Sequence, residues 1–183
     1  MHPETAFADA ALFPDAQPWD VVLDTLWVSH GEFWLVAGAG PGADIETAIP
    51  EGDAVAGNGE AVGIPTVESM GRIAVALSVW EGPAPDGLGV PLGTSRITAP
   101  GRELALINVE GREPGPVLVL PDEGEHEVVV WRLARPGAGG PERYDIRVWP
   151  CPAGGGRGGA GISTRTSTHG SRCGESNLPM LEP

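Results

Sequence analysis

Between Trp19 and Trp149 apolar residues come in short runs, most alternating with polar ones and separated by Gly- or Pro-containing punctuation. A period of two places one row of side chains on each face of an extended strand, so these runs predict β-strands. Val21–Val28 and Phe33–Ala37 flank Ser29-His30-Gly31-Glu32, a hairpin-length turn with Gly31 suited to a positive φ. Gly59–Ile64 is a weaker strand. In Arg72–Trp80 the residues Ile73, Val75, Leu77 and Val79 share one face. Ser95–Thr98 and Glu103–Val109 flank Ala99-Pro100-Gly101-Arg102, and Val117–Leu120 and His126–Leu133 flank Pro121-Asp122-Glu123-Gly124, so Gly101 and Gly124 are expected to close hairpins. Arg143–Trp149 sets Tyr144, Ile146 and Val148 on one face and Arg143, Asp145 and Arg147 on the other. A helical period is absent, with Ile45–Ile49 its only weak trace.

About nine strands at even spacing, each with one apolar face, predict an all-β fold: an antiparallel two-sheet sandwich. The domain is expected over residues 19–150, after a flexible N-terminal segment, 1–18. Residues 151–183 carry a Gly-rich run and then Ser/Thr alternation with no aromatic residue, which predicts a disordered low-complexity tail. The chain of 183 residues contains 28 Gly and 19 Pro, too many for long helices but suited to strand punctuation.

Charge sharpens this picture. The net charge is −14, with no Lys at all, and residues 1–71 hold twelve acids and neither Lys nor Arg. Direct nucleic-acid binding is not expected, because it requires clustered cations to displace counterions. A basic leader and a membrane-length apolar run are both missing, and the two cysteines lie in the tail, so a cytoplasmic protein without membrane attachment or disulfide framework is expected.

Candidate chemistry is sparse. The Gly38–Gly42 run is interrupted by Pro41 and followed by Asp44 and Glu46, which suits a loop and not a phosphate cradle. Cys151, His169 and Cys173 lack a close ligand pair and a fourth ligand, so no metal or other cofactor is expected. His126 lies between Glu125 and Glu127, which as strand neighbours point to the opposite face, and is expected to pack at the end of a core row. A Gly-x-Ser-x-Gly elbow is absent, and acids are too numerous for any pair to stand out as acid and base, so an enzyme is not expected. The remaining signal is the acidic surface itself. Glu123, Glu125 and Glu127 share one strand face and, with Asp20, Asp24 and Glu32 foremost among other acids, form a candidate partner-binding surface. The bland reading of the same acids is solubility. Trp80 and Trp149 fall out of phase with the apolar rows beside them and are candidate stacking platforms for a small molecule or carbohydrate, or else caps on the core.

Four segments carry a family resemblance: Gly71–Val75 (GRIAV), Arg96–Leu104 (RITAPGREL), Val119–Val128 (VLPDEGEHEV) and Glu142–Pro150 (ERYDIRVWP). Their order is similar to that of small uncharacterised bacterial all-β proteins and, more remotely, resembles the competence-protein ComJ family, which includes an inhibitor of a DNA-entry nuclease. The resemblance spans Val22 to Pro150 and rests on turn and core positions, none of them catalytic. It implies a non-enzymatic interaction protein that binds or inhibits a basic protein such as a nuclease. His126 stands where the family pattern favours Tyr, which implies packing. A small-molecule-binding or carbohydrate-binding sandwich using exposed Trp is the alternative.

Overall fold

In a computed structural model, which describes residues 17–38, 44–110, 116–135 and 139–151, the chain forms ten strands in two five-stranded sheets. Sheet A has the order β1 (Asp20–Val28), β5 (Gly71–Val79), β10 (Glu142–Pro150), β9 (Gly124–Leu133), β6 (Val90–Ala99). Sheet B has the order β3 (Ala56–Gly57), β4 (Ala61–Pro65), β2 (Glu32–Ala37), β7 (Glu103–Ile107), β8 (Leu118–Val119). The two sheets face each other across one apolar core. The apolar rows of β5 (Ile73, Val75, Leu77, Val79) and β10 (Tyr144, Ile146, Val148) meet Phe33 and Leu35 of β2 and Leu104 of β7 there. Phe33 and Tyr144 pack edge to face with ring centroids 5.1 Å apart.

All nine expected strands are present. The tenth, β3, is two residues long and carries no alternation; Gly57 there runs so close to β6 that an added Cβ would lie 2.0 Å from Ser95 Oγ. Two features of the topology depart from expectation. The central pair, β5 and β10, is parallel, so sheet A is mixed. And none of the three expected hairpins is a hairpin: β1 and β2, β6 and β7, and β8 and β9 lie in opposite sheets. Gly31 does take the positive φ of 82° and Gly124 one of 122°. At the third turn, however, Arg102 (φ 57°), and not Gly101, adopts the left-handed conformation. It is held there because its Nε donates to the Leu120 carbonyl at 2.9 Å while Leu120 N–H donates back to Arg102 O at 2.8 Å. Turn residues specify that the chain reverses, but not whether it reverses within a sheet or across the core. Either way the residues flanking the turn point inward, as Val28 and Phe33 do here.

Each outer face is covered by irregular chain. Over sheet B, Ala48 sits on Trp34, whose indole Nε1–H donates to the Ala48 carbonyl at 3.0 Å. Over sheet A, the segment 81–89 lies on β9 and β10, and Gly87 is so close that a Cβ there would stand 2.4 Å from the Trp131 ring. The stretch 55–59 follows the β6 edge, with Val55 N–H bonded to Leu92 O and Thr98 N–H to Gly59 O. That leaves nine-residue β1 as the long edge of sheet A whose outer side no described residues pair with as a strand. The expected N-terminal and C-terminal segments, apart from Gln17, Pro18 and Cys151, lie outside the described residues, as do His169, Cys173 and positions 39–42 of the Gly-rich run. No helix is long and apolar enough to cross a membrane among the described residues.

Candidate functional site

The six acids of the expected surface do not converge. Asp20 and Asp24 are on β1, while Glu125 and Glu127 are on β9, three strand spacings away, or about 14 Å. Glu32 opens β2 in the other sheet, where burial raises its pKa above the usual carboxylate value and His30 partly offsets this. Glu125 is ion-paired with Arg96 at 3.5 Å, and Arg96 lies opposite Glu127 in the β6–β9 register. Glu123 is exposed just before β9.

Asp20 and Asp24 have a structural task. Asp20 Oδ1 accepts from Val21 N–H at 2.8 Å, and Asp24 Oδ1 from Thr25 N–H at 2.7 Å. Asn108 Nδ2 donates to the Trp27 carbonyl at 2.9 Å. Side chains thus occupy backbone groups along the β1 edge, which would otherwise template pairing with another strand. The spacing of Asp20 and Asp24 at i and i+4 on an edge strand could have signalled this.

Trp80 and Trp149 are only 4% and 7% exposed, so neither offers a stacking face to a carbohydrate. They belong to a buried polar layer on the outer face of sheet A. Arg147 (1% exposed) places its guanidinium 5.5 Å from the Trp80 ring centroid and 5.0 Å from that of Trp131. Its Nε and Nη2 both donate to Asp145 Oδ2, at 3.0 and 2.7 Å, and its Nη1 donates to the Pro85 carbonyl at 2.5 Å. Asp145 is fully buried, and its Oδ1 has no hydrogen-bond partner among the described residues. Burial pushes the Asp145 carboxyl above its ordinary value, and Arg147 only partly opposes that. Both faces of β10 are therefore buried, one by the core and the other by the 81–89 cover. Alternation alone made Arg143, Asp145 and Arg147 look like a polar face.

A second polar group closes one end of the sandwich. Glu142 accepts from the amides of Val67 (3.0 Å) and Glu68 (2.8 Å), from the Tyr144 hydroxyl (2.5 Å) and from Arg135 (3.0 Å). Burial by itself would raise the Glu142 pKa, but these donors outweigh it and hold the carboxyl below its usual range. Burial, with Glu142 beside it, keeps Tyr144 strongly protonated. Beside this hub a cleft of about 420 Å³ is lined by Val67, Gly89, Val90, Arg132, Leu133, Ala134, Arg135 and Glu142. Another, of about 440 Å³, runs along Trp19, Trp80, Pro83 and Pro85.

His126 packs in the inward row of β9, as its parity requires; Nδ1–H donates to the Gly124 carbonyl at 3.0 Å, and Nε2 is buried without a partner among the described residues. No group of three or more His, Cys, Asp or Glu is placed to hold a metal ion among the described residues.

Charge is divided between the sheets. The strands of sheet A include Arg72, Arg96, Arg132, Arg143 and Arg147, while those of sheet B contain no base. The stretch from Asp44 to Glu60, which covers sheet B and then follows β6, exposes Asp44, Glu46, Glu51, Asp53 and Glu60 and also contains no base. Asp44 is committed locally, accepting from Glu46 N–H and Thr47 Oγ1.

Two solved structures share the fold. One, described as crocagin biosynthetic gene J, superposes with a TM-score of 0.52 at 14% identity, over 72% of this chain and 97% of its own. The other is ComJ, an inhibitor of the DNA degrading activity of NucA, from Bacillus subtilis. It has a TM-score of 0.51 at 12% identity, over 74% of this chain and 98% of its own. No protein-family model and no curated protein sequence matches the chain. The likeness to ComJ is thus one of fold, and it bears out the resemblance carried by the four sequence segments.

Proposed function

We propose that this chain is a non-enzymatic interaction protein that binds a basic protein partner, such as a nuclease, through the acid-only surface of residues 44–60. The observation that carries the reading is the division of charge: exposed acids without a single base over sheet B, and every strand-borne Arg in sheet A. A one-sign surface steers an oppositely charged protein and raises its association rate. The fold likeness to ComJ, described as an inhibitor of NucA's DNA degrading activity, supports a role exerted by occupying a partner. This surface replaces the scattered set Asp20, Asp24, Glu32, Glu123, Glu125 and Glu127.

The test is affinity capture from the source organism with the wild-type chain and with a Glu46→Gln, Glu51→Gln, Glu60→Gln variant. A specific basic partner should be retained by the wild type, lost above about 0.3 M salt as screening shortens to a few ångströms, and bound at least tenfold more weakly by the triple variant. If the captured partner is a nuclease, added protein should suppress its DNA degradation. A partner held equally by both chains and indifferent to salt would sink the electrostatic reading.

A further inference from the structure

Arg132 is the side chain that neither the fold nor the proposed interface uses. It continues the inward row of β9 after Val128 and Val130, where the sandwich opens at its end. Parity with two core valines is an unusual place for a guanidinium, which resists burial unless it is paired. The other two arginines of β10, both buried, meet that requirement: Arg143 donates to the Ala134 carbonyl and Arg147 to Asp145 and Pro85. Arg132, with its side chain only 20% exposed, makes no hydrogen bond among the described residues. Its single ionic contact is a loose one, 3.7 Å from Nη1 to Asp53 Oδ1, and Asp53 is an 84% exposed surface carboxylate. A guanidinium fork thus stands at the wall of a cleft with its Nη1 buried and without a hydrogen-bond partner among the described residues.

The cleft supplies the rest of a binding site. Its volume of about 420 Å³ falls within the usual range for small-molecule sites. Val67, Val90 and Leu133 make its walls apolar, and Gly89 closes tightly on β9, where an added Cβ would lie 2.4 Å from the Arg132 carbonyl oxygen. Glu142 also lines it, but four donors already engage that carboxylate, so it offers little to a cation. Arg135 is likewise committed to Glu68 and Glu142. One uncommitted guanidinium therefore faces an incoming ligand, and the ionised Glu142 nearby disfavours a dianion.

We propose that this end cleft binds an organic monocarboxylate with a short apolar body, its carboxylate forked on the Arg132 guanidinium and its tail against Val67, Val90 and Leu133. Arg132 is free to turn toward such a ligand, because no hydrogen bond fixes it. Asp53 is the competing anion. The match of planar fork to planar carboxylate favours this chemistry over a phosphate, which would need further donors. The site goes beyond the protein-binding reading; Asp53 belongs to both surfaces, but none of the three glutamates tested there lines the cleft, so the two readings can fail separately.

The probes are hexanoate, hexanol and inorganic phosphate, titrated into the ¹⁵N-labelled full chain at constant ionic strength and followed by amide shifts. Hexanoate should saturate, with the largest shifts at Val67, Val90, Leu133 and Arg132, and should bind at least tenfold more tightly than hexanol or phosphate. Arg132→Met should lose at least tenfold in hexanoate affinity while keeping the dispersed spectrum of the folded chain. If that variant does not fold, Asp53→Asn carries the test: removing the competing carboxylate should tighten hexanoate binding severalfold. The proposal is overturned by non-saturating hexanoate shifts, by hexanol or phosphate binding as tightly as hexanoate, by undiminished affinity in Arg132→Met, or by unchanged or weaker affinity in Asp53→Asn.

Discussion

Asp145 and Glu142 lie three residues apart on the same strand, both nearly inaccessible at 0% and 4% exposure, yet their acidities move in opposite directions. The difference lies in donor number. Glu142 receives two backbone amides, a phenol and a guanidinium, which together outweigh the cost of burial. Asp145 has one guanidinium partner, both of whose bonds fall on Oδ2, and an Oδ1 without a partner among the described residues. A buried carboxylate is stabilised by the number and aim of its donors, and one ion pair does not repay the desolvation of two charges. The outer face of sheet A is accordingly held by a costly polar device. The corresponding face of sheet B is covered with small apolar residues and one neutral indole bond to Ala48.

The largest effect should come from breaking the costly pair by halves. Arg147→Ala leaves the Asp145 carboxylate buried and unpaired and also removes the cation lying between Trp80 and Trp131. It should cost about 3–5 kcal/mol in chemical denaturation. Replacing both residues, as Asp145→Leu with Arg147→Met, should restore most of that or exceed the wild type, because apolar substitutes carry no desolvation penalty. A double variant as unstable as Arg147→Ala would mean that the pair is net stabilising, against the donor-counting argument.

Glu142→Gln should cost less, about 1.5–3 kcal/mol, the typical worth of hydrogen bonds to a charged group. Its pH signature is more telling than its size. A carboxyl whose pKa is lowered on folding contributes stability that is present above its unfolded value, about 4.3, and is lost as pH falls through the folded value. Asp145, whose pKa is raised, has the reverse sign: its contribution is present below the unfolded value, about 3.9, and is lost as pH rises through the folded one. Denaturation profiles between pH 3 and 8 should therefore separate the two. Glu142→Gln should flatten the acid-side loss of stability. The double replacement of Asp145 and Arg147 should steepen the net acid-side fall, by removing a carboxyl whose contribution grows on protonation.

Much of this architecture was legible in the alternation of side chains. The core rows of β5 and β10 and the inward seat of His126 follow from parity alone. What parity does not carry is a second burial. Nothing in the order Arg143, Asp145, Arg147 says that a Pro- and Gly-rich segment some sixty residues earlier will cover them, since that contact is made by backbone, Pro85 O and the bare Gly87. The same limit explains the three arches. Gly31, the Pro100-Gly101-Arg102 turn and Gly124 mark reversals correctly, but the sheet to which the chain returns depends on long-range pairing. The candidate acids scatter for a third reason: Asp20 and Asp24 are each engaged by a neighbouring N–H group, which charge counting ignores. Arg132 was the missed signal, because its parity with Val128 and Val130 was already visible.

The smallest predicted effect probes that cover directly. A methyl at Gly87 would stand 2.4 Å from the Trp131 ring, so Gly87→Ala must lift the 81–89 segment or displace the indole; at Gly82, in the same segment, an added Cβ meets nothing within 4 Å. Overpacking of this kind costs about 1–3 kcal/mol, so Gly87→Ala should fall in that range and Gly82→Ala should stay within about 0.5 kcal/mol of the wild type. Displacing the cover would also admit water to the unpaired Asp145 oxygen and lower that carboxyl toward its ordinary value, while Glu142, under a different part of the fold, should not change. A pH profile in which Gly87→Ala weakens the Asp145 contribution and leaves that of Glu142 intact would show that the cover, and not the strand, sets the acidity of the outer face. Equal changes in both would mean that the two groups respond to the stability of β10 as a whole.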